Sequence, residues 1–227
     1  MPSPIQELLG LKFPPVAVSF RPEAPAGIER VDQPACAGCS YWRLAAEGRV
    51  FYTEAPDHYG CPVGAHTHGI PLPPQQAEEL AELARIMTGL EYVTEAEVQA
   101  MPSRSQPFGV AVYAPLDRAT ETPDLLLVRG TARQIMLLTE AAQAAGVAPE
   151  RPALGRPACV LVPLTLDGST TATSLGCIGN RVYTGLQDDE LYFALPGSAI
   201  DAVTERLPRI VGANQELEKF HRARQGA

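Results

Sequence analysis

The chain has 227 residues, of which 45% are hydrophobic and 19% are charged, so it can bury a substantial core and is not a disordered segment. Its formal charge of −8 is spread along the sequence without a lysine- or arginine-rich run, which argues against nucleic-acid binding. No apolar stretch approaches the roughly 20 residues that cross a bilayer, and the start "MPSPIQELLG" lacks the features of an export signal. We therefore expect a cytoplasmic protein that binds neither nucleic acid nor a membrane.

Helices and strands are interleaved in the first half of the chain. In chain order, the patterns predict a helix over 4–9, a strand at "VAVSF" (16–20), a helix over 41–47, a strand at "VFYTE" (50–54) and a helix over 75–88. Ser40 is predicted to cap the second helix. Between residues 55 and 74, three histidines and one cysteine occur without any period, which predicts an ordered functional loop.

The second half continues in the same way. In chain order, the patterns predict a short helix with a Thr94–Glu97 capping box, strands at "FGVAVYAPL" (108–116) and "DLLLV" (124–128), a helix over 131–145, strands at "ACVLVPL" (158–164) and "ELYFALP" (190–196), and a C-terminal helix that Pro208 interrupts. The sequence has neither strict strand–helix alternation nor a nucleotide-phosphate motif. We predict one α+β domain over residues 1–227, with a mixed, mostly antiparallel sheet and flanking helices. Apolar helix faces are compatible with a homodimer.

Two of the five cysteines lie in "PACAGCSYWRLAAEG", residues 34–48. The spacing of Cys36 and Cys39 lets two sulfur atoms hold one metal or form a small disulfide. Cys39 immediately precedes the predicted cap, so the helix N-terminus would lower the pKa of its thiol and favour ligation or nucleophilic attack. The pair could also be structural.

The segment "DHYGCPVGAHTHG", residues 57–69, places Cys61 between two glycines and adds three histidines. Glycine allows the close backbone approach that a loop around a cofactor requires. The histidines His58, His66 and His68 could act as metal ligands or general bases, or could simply bind backbone carbonyl groups or Asp57.

The segment "SLGCIGNRVYTG", residues 174–185, again places a cysteine, Cys177, between glycines. Arg181 could balance anionic thiolates or bind a substrate carboxylate. By contrast, Cys159 lies in an apolar run without glycine or polar neighbours, so we interpret it as a small core residue apart from the other thiols.

Four cysteines therefore occupy glycine-rich or cap-associated positions, which is the number that holds an iron–sulfur cluster. They are Cys36, Cys39, Cys61 and Cys177. Their spacing is neither a ferredoxin run nor the paired pattern of a zinc ribbon, so distant loops would have to converge.

The same segments resemble a known family. "PPVAVSF", "CSYWRLAAEG", "FYTEAPDHYGCPVGAHTHGIPLP", "SLGCIGNRVYTGLQDDELYFALPG" and "ANQELEKFH" are similar, in order, to the family called domain of unknown function 169. The resemblance covers nearly the whole chain and implies one domain and a prokaryotic cytoplasmic origin. It implies no catalytic residues.

Four functions remain open from the sequence. The first is a redox or accessory protein with a 4Fe–4S cluster on the four cysteines, with Asp57, Arg181 and the histidines around the cluster or at an adjoining substrate site. The second is a zinc protein that uses some of these cysteines with His58, His66 or His68. The third is a thiol enzyme with Cys39 or Cys61 as nucleophile, His58 as base and Asp57 nearby. The fourth is a module whose glycine-lined loops bind a small anionic ligand. A redox role would require a partner protein.

Overall fold

The computed structural model describes residues 2–147 and 157–225, which contain one sheet of six strands. The strands are β1 (Val16–Arg21), β2 (Phe51–Glu54), β3 (Val110–Pro115), β4 (Leu125–Thr131), β5 (Ala172–Ser174) and β6 (Glu190–Pro196). They lie in the order β2-β3-β1-β4-β6-β5, and every neighbouring pair is antiparallel. An isolated parallel bridge joins Arg30 to Tyr52. The prediction of an α+β fold with a mostly antiparallel sheet is confirmed.

Helices flank this sheet. They are α1 (Pro4–Leu9), α2 (Ser40–Ala46), α3 (Pro62–Thr67), α4 (Pro74–Gly89), α5 (Glu95–Gln99), α6 (Ala132–Ala144), α7 (Leu161–Gly168), α8 (Ile178–Thr184) and α9 (Ile200–Gln225). The predicted Thr94–Glu97 capping box is present, with both reciprocal hydrogen bonds. No helix within the described ranges is both long enough and apolar enough to cross a membrane.

The central strand β4 supplies side chains to both faces of the sheet. Leu125 and Leu127 lie in the core that includes buried residues of α2 and α7, whereas Leu126 and Val128 lie in the core formed with α1, α6 and α9. Successive side chains of a strand point to opposite faces, so an uninterrupted apolar strand requires helices on both sides. The apolar run "DLLLV" therefore marks the middle of a three-layer arrangement.

Two segments differ from the prediction. The run "ACVLVPL" is not a strand: it forms a 3-10 turn (Ala158–Val160) followed by α7. Pro163 lies in the first turn of α7, where a missing N–H is tolerated, but it would remove a ladder hydrogen bond from a central strand. Residues 55–74 are not a continuous loop either, because they contain a 3-10 turn (Ala55–His58) and α3.

Two helix boundaries also differ. Cys39, rather than Ser40, is the N-cap of α2. Helix α9 continues through Pro208, which the sequence predicts to interrupt it. A proline in a helix interior removes one hydrogen bond, and here the buried side chains of Val203 and Leu207 hold the helix against the sheet on the N-terminal side of Pro208.

The turn after β6 provides a test of this packing. The N–H of Gly197 donates to the carbonyl oxygen of Asp124 at 2.9 Å, and a Cβ at Gly197 would lie 1.5 Å from the carbonyl oxygen of Pro123. We expect Gly197→Ala to lower the free energy of unfolding by about 3 kcal/mol, because the two backbone segments must separate. The matched control is Gly212→Ala in α9, where a Cβ meets nothing within 4 Å. That change should stabilise the helix by about 0.5–1 kcal/mol. Equal urea midpoints for the two variants would contradict this packing.

Candidate functional site

Three cysteines occupy equivalent positions at the starts of three helices. Cys39 is the N-cap of α2, Cys61 is the N-cap of α3, and Cys177 is the N-cap of α8. The backbone N–H of Asn180 donates to the sulfur of Cys177 at 3.4 Å, whereas the side chains of Cys39 and Cys61 make no capping hydrogen bond. Two of the three thiols are therefore not used to cap their helices.

The segments that carry Cys36, Cys39 and Cys61 pack against each other through glycines. A Cβ at Gly60 would lie 2.9 Å from the carbonyl oxygen of Ala35 and 3.7 Å from the Cα of Cys36. A Cβ at Gly64 would lie 3.0 Å from the sulfur of Cys61 and 3.8 Å from the backbone nitrogen of Gly38. These glycines allow the two backbones to approach more closely than larger residues would.

The thiol of Cys39 lies close to those of Cys61 and Cys177. Its pKa is raised to about 12, first by burial and then by charges on Cys61 and Cys177, while the nearby amide of Asn180 opposes the shift. The sequence predicts a thiol whose pKa is lowered by the helix N-terminus. The structure corrects this, because desolvation outweighs the effect of the helix.

The sequence predicts that Cys159 lies apart from the other thiols, but in the structure it lies close to them. Burial raises the pKa of its thiol well above the ordinary value, and Thr67 opposes this shift. Charges on Cys61, Cys177 and Cys39 also raise it, so all three thiols lie within electrostatic range of Cys159. The correction follows from the misassigned strand: the 3-10 turn that carries Cys159 packs beside α3. We call Cys39, Cys61, Cys159 and Cys177 the thiol cluster.

Cys36 is the exposed cysteine of the five. Its backbone lies against Gly60, directly before Cys61, so it borders the thiol cluster on the solvent side. Cys159, by contrast, is half-buried as a residue, with its sulfur enclosed by protein.

A buried tyrosine connects the two glycine-rich segments. The hydroxyl group of Tyr41 donates to the carbonyl oxygen of Asp57 at 2.6 Å and accepts the backbone N–H of Ala35 at 2.9 Å. The carboxylate of Asp57 accepts two hydrogen bonds from Arg30, each at 3.0 Å, and the backbone N–H of Glu54 at 2.8 Å. Asp57 therefore holds the backbone before Cys61 and is not available as the partner of a catalytic base.

His58 and His68 form a buried pair whose ring centroids are 5.4 Å apart. Nδ1 of His68 lies 2.8 Å from the carbonyl oxygen of Gly64, which can only accept, so this nitrogen carries the proton and Nε2 has a lone pair. Nε2 of His58 lies 2.9 Å from the hydroxyl group of Thr53. Within the described part of the chain, His68 Nε2 and His58 Nδ1 have no hydrogen-bond partner.

Both imidazoles are uncharged at neutral pH. Burial lowers the pKa of His68 to about 4, partly against the hydrogen bond to Gly64, and burial with the nearby His68 lowers the pKa of His58 well below its ordinary value. Gly38 lies next to this pair, because a Cβ there would be 3.6 Å from His58 Nδ1. The histidine pair therefore borders the loop between Cys36 and Cys39.

The remaining predicted residues have structural contacts. The guanidinium group of Arg181 donates to the carbonyl oxygens of Gln187 at 2.8 Å and Leu175 at 2.6 Å, so it holds the loops around α8. His66 is partly exposed, and its carbonyl oxygen accepts the hydroxyl group of Ser103 at 2.6 Å. Neither side chain is brought into the thiol cluster by a described contact.

Asn180 is a site residue that the sequence analysis did not identify. The residue is 2% exposed, and neither atom of its side-chain amide has a hydrogen-bond partner among the described residues. The amide nevertheless lies beside the thiol of Cys39 and would hydrogen-bond its thiolate form. Its position three residues after Cys177 is the signal that could have identified it, because residue N3 of a helix lies beside the N-cap.

Between residues 2–147 and 157–225, no group of three or more His, Cys, Asp or Glu side chains is placed so that it could hold a single metal ion. The arrangement is instead a set of thiols from four separate segments, bordered by the unpaired ring nitrogens of His58 and His68 and by a buried amide. These are the atoms that bind soft metals and metal–sulfur groups once the thiols lose their protons.

The fold and this site define an α+β protein with a half-buried group of thiols between its loops. The chain belongs to the DUF169 family, described as "Uncharacterised ArCR", which matches residues 4–206. It is similar to the uncharacterized protein MJ0308 of Methanocaldococcus jannaschii, with 24% identity over 221 residues, which cover 89% of this chain and 90% of the relative. No solved structure matches the chain.

The histidine pair predicts how stability depends on pH. The pKa of His68 is about 4 in the folded chain and about 6.5 in an unfolded chain, so its contribution is complete above pH 6.5 and is lost as pH falls toward 4. Between pH 6.5 and pH 5, we expect His68 alone to remove about 2 kcal/mol from the free energy of unfolding. His68→Gln should reduce this slope, whereas His66→Gln, in the same segment, should not. An equal free energy of unfolding in urea at pH 7 and pH 5 would contradict the burial of neutral histidines.

Proposed function

We propose that this chain is a cytoplasmic redox or accessory protein that holds a 4Fe–4S cluster at the thiol cluster. The observation that supports the proposal is the convergence of the thiols of Cys39, Cys61 and Cys177, although 21 and 115 residues separate successive members along the sequence. Thiolates are the usual ligands of such clusters. A hydrophobic core does not require separate glycine-rich segments to bring free thiols into one region.

The fourth ligand in this proposal is Cys36. It shares the Cys-x-x-Cys segment with Cys39, and its backbone lies against Gly60 beside Cys61. The exposure of Cys36 would bring one edge of the cluster near solvent, where electrons can be exchanged with a partner protein. Cys159 would then lie behind the cluster as an enclosed, protonated thiol.

Polar groups around the thiols fit an anionic metal–sulfur group. The backbone N–H of Asn180 already donates to the sulfur of Cys177, and its buried side-chain amide lies beside Cys39. Hydrogen bonds to sulfur and the degree of burial are the main means by which a protein sets the reduction potential of a cluster. When bound, the cluster would supply one-electron redox chemistry, and the chain would hold it, shield it from water and tune it.

Ligation would displace protons from thiols whose pKa values burial has raised, as for Cys39. Cluster binding should therefore release protons and should strengthen as the pH rises.

The second candidate is a single zinc ion, whose ligand side chains would have to move together, because no group of three among the described residues is placed to hold one. The unpaired ring nitrogens of His58 and His68 favour this alternative, because a neutral imidazole with a free lone pair is a good zinc ligand. The structure gives less support to a thiol enzyme. Burial raises the pKa of Cys39 to about 12, which is the opposite of an activated nucleophile, and the carboxylate of Asp57 is paired with Arg30.

The proposal predicts the metal content of the protein. Anaerobically purified protein should be brown, with broad absorption near about 400 nm and about four iron and four sulfide per chain. Cys61→Ser and Cys177→Ser should each lose most of the iron, because each removes a ligand. Iron and sulfide assays with visible spectra would measure this. Colourless protein with one zinc per chain would favour the second candidate, and colourless, metal-free protein would exclude both.

Cys159→Ala and Cys36→Ala form a matched pair that assigns the fourth ligand. With Cys36 as ligand, Cys36→Ala should lose the cluster, and Cys159→Ala should keep it at a cost of about 1–2 kcal/mol in packing. The opposite pattern would assign the fourth position to Cys159. Retention of full iron by both variants would contradict ligation by four cysteines.

A further inference from the structure

A separate cavity of about 280 Å³ lies between α2, the sheet and the segment after α1. Its walls include Phe13, Trp42 and Tyr192 together with aliphatic residues of β1 and β4. The rings of Trp42 and Tyr192 pack edge to face at 5.3 Å, so part of the wall is rigid and flat. The volume is near the lower end of the range for small-molecule sites. A larger depression along α4 is lined by residues of that helix alone, so it is an open surface and not an enclosed binding site.

Three basic side chains, Lys12, Arg43 and Arg129, line this cavity, although the chain as a whole carries a formal charge of −8. Arg129 is paired with Glu190, and its remaining N–H groups donate to the carbonyl oxygens of Thr184 at 3.0 Å and Gly185 at 2.6 Å. At the other side of the cavity, Arg43 lies 3.6 Å from Glu47.

Lys12 is the third cation of the cavity. Its ammonium group lies 5.2 Å from the centre of the Phe13 ring, and it makes no ion pair with another described residue. Three cations thus surround the cavity against two carboxylates, Glu47 and Glu190, which leaves one positive charge at neutral pH. Glu190 is the carboxylate on which Lys12 acts electrostatically, and it is already paired with Arg129.

We propose that this cavity binds a small organic monoanion with a flat apolar body, such as an aromatic carboxylate. The carboxylate would lie at Lys12, and the ring would lie among Phe13, Trp42 and Tyr192. An apolar pocket with one convergent charge both attracts and orients such a ligand. Neither Arg129 nor Arg43 needs to release its own carboxylate partner for the ligand to bind.

The cavity adjoins the thiol cluster without including it. Trp42 lies three residues after Cys39 on α2, and Tyr192 is close enough to Cys39 that a charge on this thiol raises the pKa of the phenol, which burial has already raised to about 12. A bound anion would therefore lie on the other side of an aromatic wall from the thiols. The binding site itself does not depend on whether the thiols hold a metal.

Trp42 is the only tryptophan of the chain, so its fluorescence reports directly on this cavity. We propose titration with benzoate, with its uncharged analogue benzamide and with acetate, which has the charge without the ring. Benzoate should quench the fluorescence saturably and should bind at least about tenfold more tightly than either control. Calorimetry on metal-loaded and on chelator-treated protein would measure the same affinities, and we expect them to be equal because the cavity does not include the thiols. The anion proposal can therefore fail while the cluster proposal holds, and the reverse.

Variants can test separately the charge of Lys12 and the volume of the cavity. Lys12→Gln should weaken benzoate binding about five- to tenfold and leave benzamide unchanged, whereas Lys219→Gln on α9 should change neither. Ala46→Leu, which fills one wall of the cavity, should abolish binding of both while the protein keeps its thermal midpoint. Equal affinity for benzoate and benzamide, no effect of Lys12→Gln, or no saturable binding of benzoate would each overturn the proposal.

Discussion

The hydroxyl group of Tyr41 holds together the two parts of the chain on which the site depends. It binds the backbone at Ala35, just before Cys36, and at Asp57, just before the loop that carries Cys61. Tyr41 is fully buried, and desolvation raises the pKa of its phenol to about 12, so the hydroxyl group stays neutral and keeps its proton for the carbonyl oxygen of Asp57. The glycine contacts between these loops follow from this connection. Without it, the buried N–H and carbonyl groups would each lack a partner.

Burial has a second consequence: it favours the neutral forms of four titratable groups of the site. The thiols of Cys39 and Cys159 and the rings of His58 and His68 all have pKa values shifted toward their neutral forms. Such groups are poor nucleophiles and poor acids at neutral pH, but they become ligands when a metal replaces the thiol protons. The same environment that argues against acid–base or thiol catalysis therefore suits a site for a metal cluster.

Much of the fold could be predicted from local patterns. The apolar strands β1, β4 and β6 and the capping box at Thr94 depend on neighbouring residues alone, and the structure contains each of them. The run that contains Cys159 was predicted incorrectly, because an apolar segment on the way into the core has no period that separates a strand from a buried helix, and Pro163 was the only local signal for a helix.

The site was harder to predict, because its geometry depends on long-range packing. The glycine–cysteine segments could be identified from the sequence, but the position of Cys159 beside the other thiols could not, since nothing near it in the sequence is polar. The roles of Tyr41 and Arg30 depend on partners 16 and 27 residues away. The pKa shift of Cys39 was predicted in the wrong direction, because the sequence shows the start of a helix but not the depth at which the thiol is buried.

The most direct test of the central claim is anomalous diffraction from anaerobically grown crystals, with data collected on both sides of the iron and zinc absorption edges. The cluster proposal predicts a strong iron signal enclosed by the sulfurs of Cys39, Cys61 and Cys177, with Cys36 completing the set. A zinc signal at the same position, or continuous density for a disulfide between these cysteines in unoxidised protein, would contradict it.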